Sequence, residues 1–360
     1  MAIALFDLIE EAAEKGSSDV HVGMHQRPKI RLHSKLIDTD HEVTTPEIME
    51  RYLREITPPE RLKKFYEIKE MDFSFVRKTA GSCRVNLSFE RNSPNMAIRI
   101  LPSTIWSFEQ CGYSIPLLKK LADAPTGLIL VTGATGSGKT TTLASMVDYI
   151  NSTRPCHIIT VEDPIEFMHT NKKAKIDQRE VGQDTQSFTG ALKYILRQDP
   201  DVVLIGEMRD LETIETALNV AETGHLVMAT LHTSDATQTV NRVVDVFPEH
   251  KQHQVRVQLS FVLNAVLSQR LVPSSDGKRI LSSEVMIATA AVRAMIRDEK
   301  IHQIYSSIQT GSKEGMHTMN HSLMNHVMNG KIKLEEAILY SSNVEELLNL
   351  IEGQNKNKKK

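Results

Sequence analysis

The stretch that most constrains this chain is "GATGSGKT", residues 133–140, set between the apolar run "LILVT" (128–132) and the helix-like "KTTTLASMVDYINS" (139–152). It fits G-x-x-x-x-G-K-[ST] in the strand-to-helix context the motif requires. The glycines let backbone N–H groups wrap phosphate oxygens, and the start of the helix adds a favourable potential for negative charge. Gly133, Ala134, Thr135, Gly136, Ser137, Gly138, Lys139, Thr140 and Thr141 are therefore expected to cradle a nucleotide. Lys139 should reach the β- and γ-phosphates and Thr140 should ligate Mg²⁺. A loop of this kind sits at the carboxyl edge of a parallel sheet covered by helices, so it fixes the fold class as α/β.

The chain after residue 126 carries that rhythm. Apolar runs "GLILVTG", "HIITVEDP", "DVVLIGE" and "HLVMATLHT" alternate with helix-like "FTGALKYILRQ" and "LETIETALNVAET", the pattern of βαβ units. Ligands of such sheets bind beyond the carboxyl ends of the strands, so the residues following each run are the candidates. These are Glu162 and Asp163 after "IITV", Gly206 and Glu207 after "VVLI", and His232 after "LVMATL". Glu207 is expected to hold the magnesium shell, although many nucleotide hydrolases place an Asp there. Glu162 is expected to orient or deprotonate the attacking water, and His232 to sense the γ-phosphate. Gly206 is expected to spare the phosphates a side chain. His225 begins its run and reads as a structural or interface histidine facing away from the site.

Residues 1–101 read as a smaller α+β unit. Alternating stretches such as "SDVHVG", "PKIRLHSKLI", "MDFSFVRK", "CRVNLSFER" and "MAIRILP" suit half-buried strands. An amphipathic helix follows the N-terminus and closes at Gly16, and another starts with Thr45 as cap and Pro46 in its first turn. Pro102, Gly112, Pro116 and Pro125 mark 102–125 as a linker region. The nucleotide-binding core is expected over 126–285 and a helical region over 286–360, with the basic tail "QNKNKKK" a frayed, solvated end. The formal net charge is −2, so no global field draws the chain to nucleic acid. An aromatic content of 5% with no basic-aromatic stretch argues against a translocase that stacks bases. Cys83, Cys111 and Cys156 form no C-x-x-C pair, which excludes a zinc ribbon. With no signal-like start and no long apolar run, a cytoplasmic protein without membrane insertion is expected.

The loop, "ITVEDPIEF" (159–167), "LIGEMRD" (204–210) and "TGHLVMATLHT" (223–233) resemble the Walker A, Asp, Walker B and His boxes of the type II/type IV secretion ATPases. Stretches such as "REVGQDT", "LRQDPD", "RVVDVFP" and "IQTGS" resemble the PilT family of type IV pilus retraction motors within that group. The resemblance implies a RecA-like core, a PAS-like N-terminal domain and a homohexamer that hydrolyses ATP with Mg²⁺. It makes Gly-Glu the regular ending of the Walker B strand. It assigns arginine fingers to Arg84 and Arg99 of "SCRVNLSFERNSPNMAIRI", where Arg91 is a further candidate. The family's "AIRNLIRE" signature is matched by "AVRAMIRD" (291–298), which keeps Arg293, Ile296 and Arg297 for partner contact and loses an amide at Ala294. The implied partners are a PilC-like platform protein at the inner-membrane face and a PilU-like paralogue. The alternatives are a PilU-like accessory ATPase, a nucleic-acid translocase and a nucleotide switch that does not hydrolyse.

Overall fold

The computed structural model describes residues 3–32, 35–77, 80–101 and 104–358, which divide into two compact units. The first comprises Met1–Ile105 with two short returns, Pro164–His169 and Gly182–Asp184. Its elements are α1 (Leu5–Glu14), β1 (Asp19–Val22), β2 (Lys29–Leu32), β3 (Lys35–Asp38), α2 (Pro46–Ile56), α3 (Pro59–Ile68), β4 (Met71–Arg77), β5 (Gly81–Glu90) and β6 (Ser93–Ile100). The strands form an antiparallel sheet in the order β3-β2-β1-β6-β5-β4. Helix α1 buries the stripe Leu5, Leu8, Ile9 and Ala12, and α2 buries Met49, Tyr52, Leu53 and Ile56. Both pack with Val20, Val22, Val85, Leu87, Met96 and Ile98 into one core. The short returns are tied in by hydrogen bonds: Ser82 Oγ donates to Ile165 O at 2.9 Å and Gln183 Nε2 to Ser74 O at 3.0 Å.

The second unit comprises Trp106–Asp163, Thr170–Val181 and Thr185–Lys360. It contains α4 (Ile115–Ala122), β7 (Gly127–Thr132), α5 (Lys139–Thr153), β8 (His157–Glu162), β9 (Lys175–Glu180), α6 (Phe188–Ile195), β10 (Val202–Ile205), α7 (Leu211–Glu222), β11 (Leu226–Leu231), α8 (Ala236–Asp245), α9 (Glu249–Val262), β12 (Leu263–Pro273), β13 (Arg279–Ile287), α10 (Ala290–Arg297), α11 (Ile304–Thr310), α12 (Met319–Met328), α13 (Leu334–Tyr340) and α14 (Val344–Lys358). The sheet order is β13-β12-β7-β11-β10-β8-β9, parallel throughout except for the antiparallel edge strand β13. Strands β7, β10 and β11 are buried along their whole length, as continuous apolar runs between two helical layers must be. Leu128 and Leu130 face one hydrophobic cluster and Ile129 and Val131 the other.

Three sequence expectations are corrected here. The proposed linker 102–125 is part of the second unit from Trp106 onward (Pro102 lies outside the described residues). Phe108, Cys111, Tyr113, Leu117, Leu118 and Leu121 are buried in its core, and the prolines and Gly112 punctuate a packed segment instead of a tether. The residues after 285 are helical as expected, but they pack within the second unit and form no region apart from it. Val292, Ile296, Ile304 and Ile308 belong to the main core, and α12–α14 gather around Val272 of β12. The tail is helical through Lys358 as the continuation of α14, while Lys359 and Lys360 lie outside the described residues. Among the described residues no helix is long and apolar enough to cross a membrane.

Candidate functional site

Strand register brings the candidates to one edge. Thr132, which leads into the loop, lies beside Leu231, which leads into His232. Ile205 lies beside Ala229 on one side and Val161 on the other, so Glu207 and Glu162 follow adjacent strands. The loop, His232, Glu207 and Glu162 thus stand in that order along the carboxyl ends of β7, β11, β10 and β8.

The loop needs its glycines. Gly133, Gly136 and Gly138 have φ of 142°, 77° and 91°, a region costly for residues with a Cβ. A Cβ on Gly133 would also lie 2.4 Å from the Gln269 carbonyl oxygen. The turn delivers the chain into α5, whose first N–H groups have no acceptor within the helix. Lys139 is buried, and its Nζ donates to the carbonyls of Gly133 at 2.8 Å and Ala134 at 3.0 Å. The Ser137 hydroxyl is buried within the loop and has no hydrogen-bond partner among the described residues. An ammonium inside a glycine turn, a helix start and an unsatisfied hydroxyl form a donor set that fits phosphate oxygens. Thr140 in the first turn of α5 and the carboxylate of Glu207 are oxygen ligands of the kind Mg²⁺ takes.

Glu207 pairs with two basic side chains. Its Oε2 accepts from Arg209 Nη2 at 2.7 Å, and its Oε1 lies 3.0 Å from His232 Nε2. Burial pushes its carboxyl up, but the Arg209 hydrogen bond and the charges of His232 and Arg209 outweigh this and hold it below the usual carboxylate range. Arg209 had not been singled out from sequence. Its signal was its place two residues after Glu207 in "GEMRD". Glu162 is buried at the end of β8, where its Oε1 accepts from Thr160 Oγ1 at 2.7 Å and Gln178 Nε2 at 3.4 Å.

Gly206 also meets a demand set by the neighbouring strand. A Cβ there would lie 3.2 Å from both Glu162 Cα and Val161 O. The missing side chain makes room for the neighbouring strand and so couples the positions of the two acids. His225 is structural: its Nδ1 lies 2.9 Å from the Val220 carbonyl and 3.1 Å from Thr223 Oγ1, at the end of α7.

In the first unit, Arg84 and Arg99 are direct cross-strand neighbours on β5 and β6. Both are exposed. Arg99 Nε donates to Asp19 Oδ1 at 3.0 Å, whereas Arg84 has no ion-pair partner among the described residues. Arg91 sits at the β5–β6 turn with a φ of 50°. The three residues of the retraction-type signature separate by role. Ile296 is core. Arg293 donates to the carbonyls of Ala288 at 2.9 Å and Ser260 at 2.6 Å and to that of Phe261, capping α9. Arg297 is exposed at the end of α10.

Residues 2–360 match the family model described as "Type II/IV secretion system protein". The chain is 43% identical over 331 residues to the type IV pilus retraction ATPase PilT of Pseudomonas aeruginosa, covering 92% of this chain and 96% of that one. It is 46% identical over 321 residues to a twitching motility protein of Neisseria gonorrhoeae, covering 89% and 86%. The crystal structure of the pilus retraction motor PilT with bound ADP superposes with a TM-score of 0.90 at 44% identity, covering 96% of this chain and 98% of that one.

Proposed function

The chain belongs to the type II/IV secretion system protein family, and from that premise we propose that it is the ATP-hydrolysing motor of type IV pilus retraction. The observation that carries the reading is the single sheet edge holding the glycine loop, Glu207 with His232, and Glu162. The N–H groups of the loop and Lys139 bind the phosphates and orient the γ-phosphorus toward the strand-end acids. Thr140 and Glu207 hold Mg²⁺, which supplies charge neutralisation on the phosphate oxygens. Glu162 takes the proton of the water that attacks the γ-phosphorus as the bond to the β-phosphate oxygen breaks. His232 couples the state of the γ-phosphate to Glu207. Arg84 and Arg99 supply cations to the transferring phosphoryl group, worth about 10³–10⁵ in rate where such fingers act. For Arg99 this requires exchanging the Asp19 carboxylate for a phosphate oxygen.

The motor works as a homohexamer in the cytoplasm at the inner-membrane face of the pilus machine. It passes its motion to a PilC-like platform protein, with Arg297 at the contact. The test is ATP hydrolysis by the purified chain beside Glu207→Ala and Glu162→Ala, with solution mass measured with and without nucleotide. Mg²⁺-dependent activity in a hexamer, lost in both variants, is expected, followed by loss of retraction in cells carrying either variant. A folded ring that is inactive alone and active beside a second ATPase would instead assign it the PilU-like accessory role. Stimulation by single-stranded DNA would refute the reading.

A further inference from the structure

One buried acid has no part in that scheme. Glu284 of β13 is 3% exposed. Its Oε1 accepts from the backbone N–H of Ala236, the first residue of α8, at 2.9 Å, and the backbone of Met319, the first residue of α12, faces the same carboxyl. Two helix starts from distant parts of the chain thus meet at one carboxyl, and α8 is hydrogen-bonded to it. The link to α12 is made by the neighbouring backbone of β13, where Val285 and His317 exchange N–H···O bonds of 2.9 and 3.2 Å just before α12.

The link to α8 matters because of what precedes it. Only Thr233, Ser234 and Asp235 separate Ala236 from His232. The far end of this loop is held by the pairing of Leu231 with Thr132. Its near end is held by Asp235 Oδ1 accepting from Gln238 N at 2.8 Å, by the 2.7 Å contact between the Thr233 and Thr239 hydroxyls, and by Glu284. Of these, Glu284 is the anchor that lies outside the loop and its own helix.

We propose that Glu284 is a positioning residue for His232, a buried clamp that fixes the His232 loop at the start of α8 and ties it to the start of α12. The proposal rests on the reading of His232 as a residue of the phosphate site. A change at the His232–Glu207 pair would then be felt by the C-terminal helices through Glu284 and the strand that carries it.

The test uses the purified full chain: wild type, Glu284→Ala, Glu284→Gln, His232→Ala and the double variant Glu284→Ala/His232→Ala. Leu118→Ala serves as a core destabilisation control. Glu284→Met, which fills the volume without an acceptor, replaces the Ala variant if that one does not fold. Glu284→Ala is expected to lower kcat by about ten- to a hundredfold, the scale of a displaced catalytic group, with KM for ATP within about twofold. Amide hydrogen exchange should rise at the starts of both α8 and α12, and adding His232→Ala should cost nothing more. Glu284→Gln keeps an acceptor oxygen and should stay within about threefold of wild type. The proposal is overturned if kcat falls no further than in Leu118→Ala, if exchange rises at one helix start alone, or if the two losses multiply. A normal rate in Glu284→Ala beside a slow His232→Ala overturns it alone. A normal rate in His232→Ala overturns the reading of His232 and the proposal with it.

Discussion

Replacing Glu284 by Gln should change how stability depends on pH. Burial raises the Glu284 carboxyl from its ordinary 4.5 to about 7, the charge of Asp235 adds to the rise, and the Ala236 and Met319 N–H groups and Arg270 oppose it. The other titratable group coupled to it is Tyr305 of α11. A carboxyl whose pKa is higher folded than unfolded makes the folded state bind the extra proton. Its contribution is complete below 4.5 and is lost as pH rises through about 7. At 1.36 kcal/mol per pKa unit the loss is about 3 kcal/mol. Gln does not titrate, so the gap in Tm between Glu284→Gln and wild type should shift in favour of the variant between pH 4.5 and 8. The shift should be about 6–12 °C for a unit of this size. His317, which burial lowers to about 4, titrates in the opposite sense in both proteins and cancels in the difference. The assay is thermal unfolding of both proteins followed by circular dichroism across that range. A gap that stays constant with pH would refute the argument, because it would mean that Glu284 titrates alike in the folded and unfolded chain.

Gly206→Ala should push against Glu162 Cα at 3.2 Å, while the Gly206 N–H to Val161 O bond of 2.8 Å resists any shift of β8. The expected cost is about 1–3 kcal/mol of stability, with kcat falling more than KM changes; unaltered hydrolysis kinetics would count against the coupling of the two acids. Asp19→Asn should release Arg99, which is exposed while Asp19 is largely buried and also lies 3.7 Å from Arg31, at a cost of about 1 kcal/mol, and raise kcat. A rate as low as that of Arg99→Ala would show that Asp19 orients the arginine for catalysis instead of withholding it. Arg293→Ala should uncap α9 and lower Tm by several degrees, since charged hydrogen bonds are worth about 1.5–3 kcal/mol each. Arg297→Ala should leave Tm and hydrolysis unchanged and abolish retraction in cells; normal retraction would remove it from the platform contact.

What was legible from sequence was what local pattern encodes. A glycine turn with a lysine, continuous apolar runs and the residue after each run depend on neighbours within a few positions. Parallel strand order then converts those positions into a shared edge. Glu162, Glu207, His232 and the loop were found in this way, and the pairing of Glu207 with His232 at 3.0 Å follows from their lying on adjacent strands. The clamp at Glu284, the capping of α9 by Arg293 and the burial of 106–125 were not legible. Each depends on a contact between residues far apart in the chain, as Glu284 and Ala236 are, and the residue types alone do not name the partner. Gly206 shows the same limit in one residue: its type announced a close approach, and the packing of β8 against β10 decided what approaches. The sequence by itself determined the class of fold and which residues stand along its edge, because both are written in short periods. The tertiary structure alone decided which side chains hold that edge in place, because buried acids and arginines are satisfied by whatever backbone the fold brings to them.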